Sequence, residues 1–371
     1  MTSASRPEPG QMWKRDDPAA APGDDGNSSS VRDTVPPEDG SPEAEGASTA
    51  ILSVEALRMW FPVGGFLTRR DAFVKAVDGV TFRVERKETI AVVGESGSGK
   101  TTLGRTLLRL LEPTDGRLIF DGTDITHATR KDLMWLRRRT QMIPQDPYSS
   151  VNPVFSVQRI LEEPLAVHRV GNHEERAERV LRALESVKLD PAESFIGKFP
   201  HMLSGGQRQR VAVARALILD PEFIVADEPV SMLDASVRVS ILTLLRTLQE
   251  RFRISFLYVT HDLATAKYFS DRIGIMYAGK LVELGPVGAV LGRPLHPYTQ
   301  ALMEAIPDPD PANRTRARTT LPGEPPNLVT PPSGCYFHPR CPIAKAGLCD
   351  QVEPPLRELA PAHWVACHLA E

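Results

Sequence analysis

No apolar run in this sequence approaches the ~20 residues that a helix needs to cross a bilayer, and no basic stretch leading into an apolar one marks the amino terminus for export. The chain is therefore expected to carry neither a membrane span nor a secretory leader. Large aliphatics are almost missing from the first 50 residues, which are rich in Pro, Gly, Ser and Asp. Such a segment cannot bury enough surface to offset its ordering, so residues 1–49 read as a disordered acidic tail. The net charge of −3 argues against a nucleic-acid binder that relies on a bulk positive field. That charge is uneven: the first 50 residues hold ten acidic and four basic side chains, which leaves the remainder at +3. Cysteine is absent from the first 334 positions.

With 371 residues, 41% of them apolar, the chain can build one large domain or two smaller ones. Order begins near Ile51. Leu52, Val54, Ala56 and Leu57 suggest one strand, and Val80 to Val84 a second. A third, Thr89 to Val93, runs into Gly94-Glu95-Ser96-Gly97-Ser98-Gly99-Lys100-Thr101-Thr102. This is the G-x-x-x-x-G-K-[ST] loop in its required setting, with a buried strand before it and a helical spacing of Leu103, Leu107 and Leu110 after it. The glycines let the backbone wrap phosphates, Lys100 supplies charge to the β/γ oxygens, and the Thr101 hydroxyl suits Mg²⁺. ATP and Mg²⁺ are thus the expected ligands.

A second glycine-rich anion site lies at Leu203-Ser204-Gly205-Gly206-Gln207, just before a helical run from Arg208 to Leu219. Backbone N–H groups at such a helix start favour phosphate. Two phosphate cradles with one such lysine suggest that the cradles meet across a dimer. The apolar run Phe223 to Ala226 delivers Asp227 and Glu228 to a strand end, the former for Mg²⁺ and the latter to polarise water. Ile254 to Thr260 delivers His261 in the same way, and Gln145 offers an amide to the metal and the water.

In order and spacing these motifs resemble the ATP-binding cassette ATPases over roughly residues 51–300, with a D-loop at Ser231-Met232-Leu233-Asp234. The stretches from Gln145 to Pro153, from His296 to Leu302 and from Pro331 to Pro342 resemble the di- and oligopeptide importer ATPases. Gly104 to Arg109 and Gln207 to Arg210 are more similar to the second of the two paired ATPases in that group. Nickel permeases share part of the pattern. The resemblance implies an α/β fold with a RecA-like P-loop core, an antiparallel β subdomain and a helical subdomain at about 146–220, all within an ATPase domain over 50–305. An irregular cysteine-containing region would follow over 306–371.

It also implies a head-to-tail pair with a related ATPase chain, two membrane-spanning permease subunits and an extracytoplasmic substrate-binding protein. No nucleic acid is expected, and the location would be the cytoplasmic face of the membrane. Catalysis would fall to Glu228, His261 and Gln145. Ser204, Gly205, Gly206 and Gln207 would serve the partner's nucleotide, the insert from Tyr148 to about Leu165 would meet the permease, and Phe73 would stack on adenine. A soluble repair ATPase would need a long coiled coil between the halves, and no sustained heptads are present. A translation factor would carry two cassettes, and the P-loop motif occurs once.

Cys335, Cys341, Cys349 and Cys367 follow a C-x5-C-x7-C-x17-C spacing without the C-x2-C pairs of zinc ribbons. The resemblance implies that they can hold a four-iron cluster. Zinc or free thiols remain open, with His338, His363 and His368 near enough in sequence to substitute as ligands.

Overall fold

The computed structural model describes residues 50–64, 72–147, 151–305 and 323–371. The expected acidic tail, Tyr148 at the start of the permease-facing insert, and the beginning of the C-terminal region lie outside these residues.

The first strands build a four-stranded antiparallel sheet. Strands β1 (Ala50–Val63) and β2 (Ala72–Glu85) pair along their lengths, and β4 (Asp115–Phe120) and β5 (Thr123–Asp124) complete the order β2-β1-β4-β5. The expected alternation breaks at Ala56, which takes a left-handed φ of 46° inside a register shift, so that Leu57 rather than Ala56 faces the core.

The larger sheet has eight strands in the order β11-β12-β10-β9-β3-β8-β7-β6. Its parallel part comprises β3 (Thr89–Val93), β6 (Thr140–Ile143), β7 (Phe223–Asp227), β8 (Ser255–Thr260) and β9 (Arg272–Tyr277). β3, β7 and β8 are apolar on both faces, as a parallel sheet covered on two sides requires. Ala91, Ile224, Ala226, Phe256 and Tyr258 enter one core, and Ile90, Val92, Phe223, Val225, Leu257 and Val259 enter the other.

The second of these cores is shared with the antiparallel sheet and with α1 (Lys100–Leu107). That helix stops before the third leucine of its spacing: Arg109 turns left-handed at φ 52°, and Leu110 is exposed. The Arg109 guanidinium instead donates to the carbonyls of Ile125 at 2.7 Å and Ala128 at 3.2 Å. A short α2 (Met134–Arg139) leads into β6.

The first core continues into a helical layer of α3 (Val157–Val167), α4 (His173–Ser186), α5 (Glu193–Ile196) and α6 (Gly205–Leu217). Side chains set where these helices begin: Ser156 accepts from the Arg159 amide, and Asn172 forms a reciprocal capping box with Glu175. Helices α7 (Ala235–Phe252) and α8 (Leu263–Phe269) flank the sheet and start at Asp234 and Asp262, whose carboxylates cap them.

Beyond β10 (Lys280–Pro286) come α9 (Val287–Gly292) and α10 (Pro297–Glu304). The described part of the C-terminal region is irregular apart from one 3₁₀ turn and two short strands, β11 (Arg357–Ala360) and β12 (His363–Val365). These strands do not form a separate layer. β12 pairs with β10, with Glu283 opposite Val365, and extends the main sheet. At that junction the buried Glu283 carboxylate accepts from the amides of Leu295 and His296 and meets His363 Nε2 at 2.7 Å.

Candidate active site

β3, β6, β7 and β8 run parallel, so their carboxyl ends share one edge, where open α/β sheets place their ligands. From this edge emerge the glycine loop after β3, Gln145 after β6, Asp227 and Glu228 at the end of β7, and His261 after β8. Side chains more than 160 residues apart in sequence thereby reach one cavity of about 770 Å³. Ser96, Gly97, Gly99, Lys100, Thr101, Thr102, Gln145, Glu228 and His261 line it.

The loop is shaped by close backbone approach. Gly99 has φ 100°, and a side-chain carbon there would lie 1.9 Å from the Ala76 carbonyl oxygen of β2. A carbon on Gly94 would lie 2.1 Å from the Met276 carbonyl oxygen of β9. The Gly279 amide, in the turn between β9 and β10, donates to the Ser98 carbonyl at 2.9 Å. The loop is thus clasped between the two sheets.

Lys100 Nζ donates to the carbonyls of Gly94 at 2.9 Å and Glu95 at 2.8 Å, and burial lowers its pKa. Thr101 Oγ1 donates to Asp227 Oδ1 at 3.0 Å. Asp227 is buried, and desolvation raises its pKa above the ordinary carboxylate value despite that hydrogen bond. Thr101 and Asp227 thus present two adjacent oxygens of the kind that a hard cation such as Mg²⁺ accepts.

Glu228 stands at the centre of the polar groups. Its backbone is left-handed, with φ 46°. Gln145 Nε2 donates to one carboxylate oxygen at 2.9 Å, and His261 Nδ1 lies 3.2 Å from the other. Both oxygens are engaged by groups that could instead touch a water or a phosphate.

Other expected residues lie elsewhere. Phe73 is not part of the cavity wall: it packs against Trp60 at 6.3 Å between ring centroids, while Phe61 lines the cavity with Val74, Ala76 and Leu328. The cause is the pairing of β1 with β2, which sets Phe61 opposite Val74 and Pro62 opposite Phe73. Glu95 turns away from the cavity. Its amide donates to the Tyr298 hydroxyl at 2.9 Å and its carboxylate meets Arg340. The sequence reading gave no site role to Phe61, Tyr298 or Arg340; the last two lie in stretches that carry the importer resemblance, but nothing there points to the phosphate loop.

Ser204, Gly205, Gly206 and Gln207 stand apart from this cavity, at the start of α6. Ser204 Oγ accepts from the Gln207 amide at 3.3 Å, and the Gln207 side-chain oxygen accepts from the Ser204 amide at 3.0 Å. The serine hydroxyl acts as acceptor within the cap, which leaves its own hydrogen for an outside oxygen. Gly206 packs so closely on α7 that a side-chain carbon would lie 2.7 Å from Val237 Cγ1.

Cys335, Cys341, Cys349 and Cys367 face one small cavity of about 10 Å³, with His338 and His368 in its wall. Among the described residues, no three His, Cys, Asp or Glu side chains converge closely enough to hold a single metal ion. Burial pushes the Cys335 thiol up to about 11, and Cys341 also rises with burial. Of the candidate histidines, His363 is turned away, held by Glu283. Among the described residues no helix is long and apolar enough to cross a membrane.

Residues 77–231 match the family described as ABC transporter, and residues 282–349 match the family described as oligopeptide/dipeptide transporter, C-terminal region. The chain is 45% identical over 322 residues to the oligopeptide transport ATP-binding protein AppF of Bacillus subtilis, covering 86% of this chain and 97% of that protein. It is 47% identical over 321 residues to the putative oligopeptide transport ATP-binding protein YkfD of the same organism, covering 86% and 95%. Among solved structures it resembles the dimeric post-hydrolysis state of the ATP-binding cassette MJ0796 bound to ADP and Pi, at 28% identity and a TM-score of 0.57 over 64% of this chain and 98% of that one. It is similar to cbiO1 from Clostridium perfringens, part of an ABC transporter complex, at 28% identity and a TM-score of 0.57, over 66% and 92%.

Proposed function

The chain belongs to the ABC transporter family, within its oligopeptide and dipeptide branch, and on that premise we propose that it binds and hydrolyses ATP to drive peptide import across a membrane. The observation that carries this reading is the meeting of Lys100, Thr101, Gln145, Glu228 and His261 at one cavity.

ATP would lay its phosphates along the amides of Ser96 to Thr102. Lys100 would exchange its two loop carbonyls for phosphate oxygens, and Phe61 would offer its ring to the adenine. Thr101, Asp227 and Gln145 would hold Mg²⁺, which when bound offsets charge on the β- and γ-phosphates. Glu228 accepts a proton from the attacking water, a role worth ~10²–10⁴-fold in rate. For that, Gln145 and His261 must loosen their hold on its two oxygens. His261 is then placed to orient the γ-phosphate and the water.

The signature residues Ser204 to Gln207 would complete the site of a second, related ATPase subunit arranged head to tail, which explains why they stand apart from the cavity of their own chain. The segment after Gln145, with Val154 exposed, offers a surface to a permease subunit. A peripheral position on the cytoplasmic face and a separate extracytoplasmic binding protein complete the assembly.

We infer a four-iron cluster here only from the chemistry of four thiols lining one small cavity. That cavity is about 10 Å³, and among the described residues no three His, Cys, Asp or Glu side chains converge closely enough to hold a metal ion, so the segments would have to part to admit the cluster. Cys335, Cys341, Cys349 and Cys367 would be its ligands, and the bound cluster would tie their four segments together. Anaerobic purification with iron analysis and visible absorption tests this point, which a colourless, iron-free protein would refute.

The function itself is tested in proteoliposomes containing both ATPases, the permease subunits and the binding protein. Peptide uptake should require ATP. Glu228→Gln should retain nucleotide while hydrolysis falls ~10²–10⁴-fold, and unchanged hydrolysis would remove Glu228 from the role of base.

A further inference from the structure

The second residue of the phosphate loop is gripped from the C-terminal region. Arg340 Nη1 donates to Glu95 Oε2 at 3.0 Å, and Nη2 approaches Oε1 at 3.4 Å. The other polar groups of Glu95 are engaged too: its amide donates to the Tyr298 hydroxyl at 2.9 Å, and its carbonyl accepts from Lys100 Nζ at 2.8 Å. We propose that Arg340 is a positioning residue for ATP binding, which holds the loop in its phosphate-ready shape through Glu95 and makes the C-terminal region a working part of the nucleotide site.

The mounting of Arg340 is rigid. Only 8% of its surface is exposed, and its guanidinium also reaches the Tyr277 hydroxyl at 3.4 Å. It ends the short 3₁₀ turn His338–Arg340, immediately before Cys341. Three hydrogen bonds brace this stretch: the Cys335 amide to the Cys349 carbonyl at 2.8 Å, the His338 amide to the Cys335 carbonyl at 2.9 Å, and the Arg340 amide to the Phe337 carbonyl at 3.0 Å. Phe337 packs edge-on to Tyr277 at 5.2 Å between centroids and lies 5.5 Å from Tyr298. The same aromatic cluster therefore supports both groups that hold Glu95 from outside the loop.

Two physical effects follow. A loop whose amides already converge loses less conformational freedom when the phosphates arrive. The guanidinium also faces a carboxylate that would otherwise stand, uncompensated, in the loop that receives a highly anionic ligand. A fork is needed for this geometry; the point charge of lysine cannot span both oxygens. Loss of the contact should therefore weaken ATP binding while leaving turnover of bound ATP near its normal rate, because Glu228, Gln145 and His261 are untouched.

The proposal rests on the nucleotide-site reading, and the experiment separates the two. A fluorescent ATP analogue is titrated into the full chain with Mg²⁺, using wild type, Arg340→Ala, Arg340→Lys, Glu95→Ala and the double alanine variant. Failure of the wild type to bind would overturn the nucleotide-site reading itself. Given wild-type binding, Arg340→Ala should raise Kd about tenfold, Glu95→Ala should raise it by less because the carboxylate that Arg340 compensates is gone, and Arg340→Lys should fall between wild type and Arg340→Ala. The double variant should be no weaker than the worse single one, as expected for two halves of one contact. In the assembled transporter, KM for ATP should rise while kcat stays within about twofold. Unchanged Kd in Arg340→Ala, or multiplicative losses in the double variant, would overturn the proposal. Should Arg340→Ala not fold, Glu95→Ala reads the same contact from the loop side, and unchanged Kd there would overturn it equally.

Discussion

The two glycines nearest Lys100 provide a sharp test of the way the phosphate loop is shaped. Gly97 and Gly99 both have left-handed backbones, with φ 79° and 100°, but their surroundings differ. A side-chain carbon on Gly97 meets no atom within 4 Å, whereas one on Gly99 lies 1.9 Å from the Ala76 carbonyl oxygen. Gly97→Ala should therefore carry backbone strain alone, about 1–2 kcal/mol. Gly99→Ala carries that strain plus a collision with backbone that no rotamer change relieves, adding about 1–3 kcal/mol. Gly94→Ala isolates the second effect, since its carbon would meet the Met276 carbonyl oxygen at 2.1 Å without the positive φ. Thermal unfolding of the nucleotide-free chain should rank Gly99→Ala as least stable. It should melt about 1–2 °C below Gly97→Ala for each kcal/mol of added collision, since the unfolding entropy of a chain of 371 residues is on the order of 0.6–0.8 kcal/mol/K. Superimposable melting curves for these two variants would refute the collision argument, and a lower melting point for Gly97→Ala would reverse it.

Three further outcomes can be checked directly. Asp227 is buried with a raised pKa, so its neutral form is the one the fold favours; that stability is present below the unfolded value near 4 and lost as pH rises through the folded pKa. Asp227→Asn should accordingly melt higher than wild type at pH 7, with the gap closing in acid, while Mg²⁺-dependent ATP binding is lost. Ser204→Ala removes a helix cap and should cost about 1 kcal/mol in the isolated chain, yet slow hydrolysis only when paired ATPases assemble; impaired ATP binding by the isolated chain would contradict the trans role. The metal-free Cys335 thiol, pushed up to about 11 by burial, should alkylate slowly near pH 7 and quicken about tenfold per pH unit toward 10, as read by mass spectrometry.

What could be read in advance was local. The run Thr89 to Val93 with its glycine loop, the strands that end at Asp227 and Thr260, and the helix start at Ser204 each combine a pattern with a chemical reason within a few residues. Their assembly followed because parallel strands put their carboxyl ends on one edge. The nonlocal features were less legible. Phe61 rather than Phe73 lines the cavity because of the register between β1 and β2, which bulges at Ala56 disturb and no alternation reveals. Arg340 meets Glu95 across 245 positions of sequence, and its triplet with His338 and Pro339 carries no motif for such a contact. The expected division near residue 306 gave no hint that β12 would join the main sheet beside β10, since three residues are too few to show a period.

That last pairing bears on how the protein is made. Glu283 is wholly buried, and its imidazole partner is translated 80 positions later. Until His363 leaves the ribosome, β10 presents an open edge and the carboxylate has only the amides of Leu295 and His296. The ATPase sheet can therefore form as far as β10 before the chain is complete, but that edge stays unpaired. It waits for the cysteine-bearing segment, so nascent chains are expected to expose an unpaired strand edge over that interval and to need protection from association there.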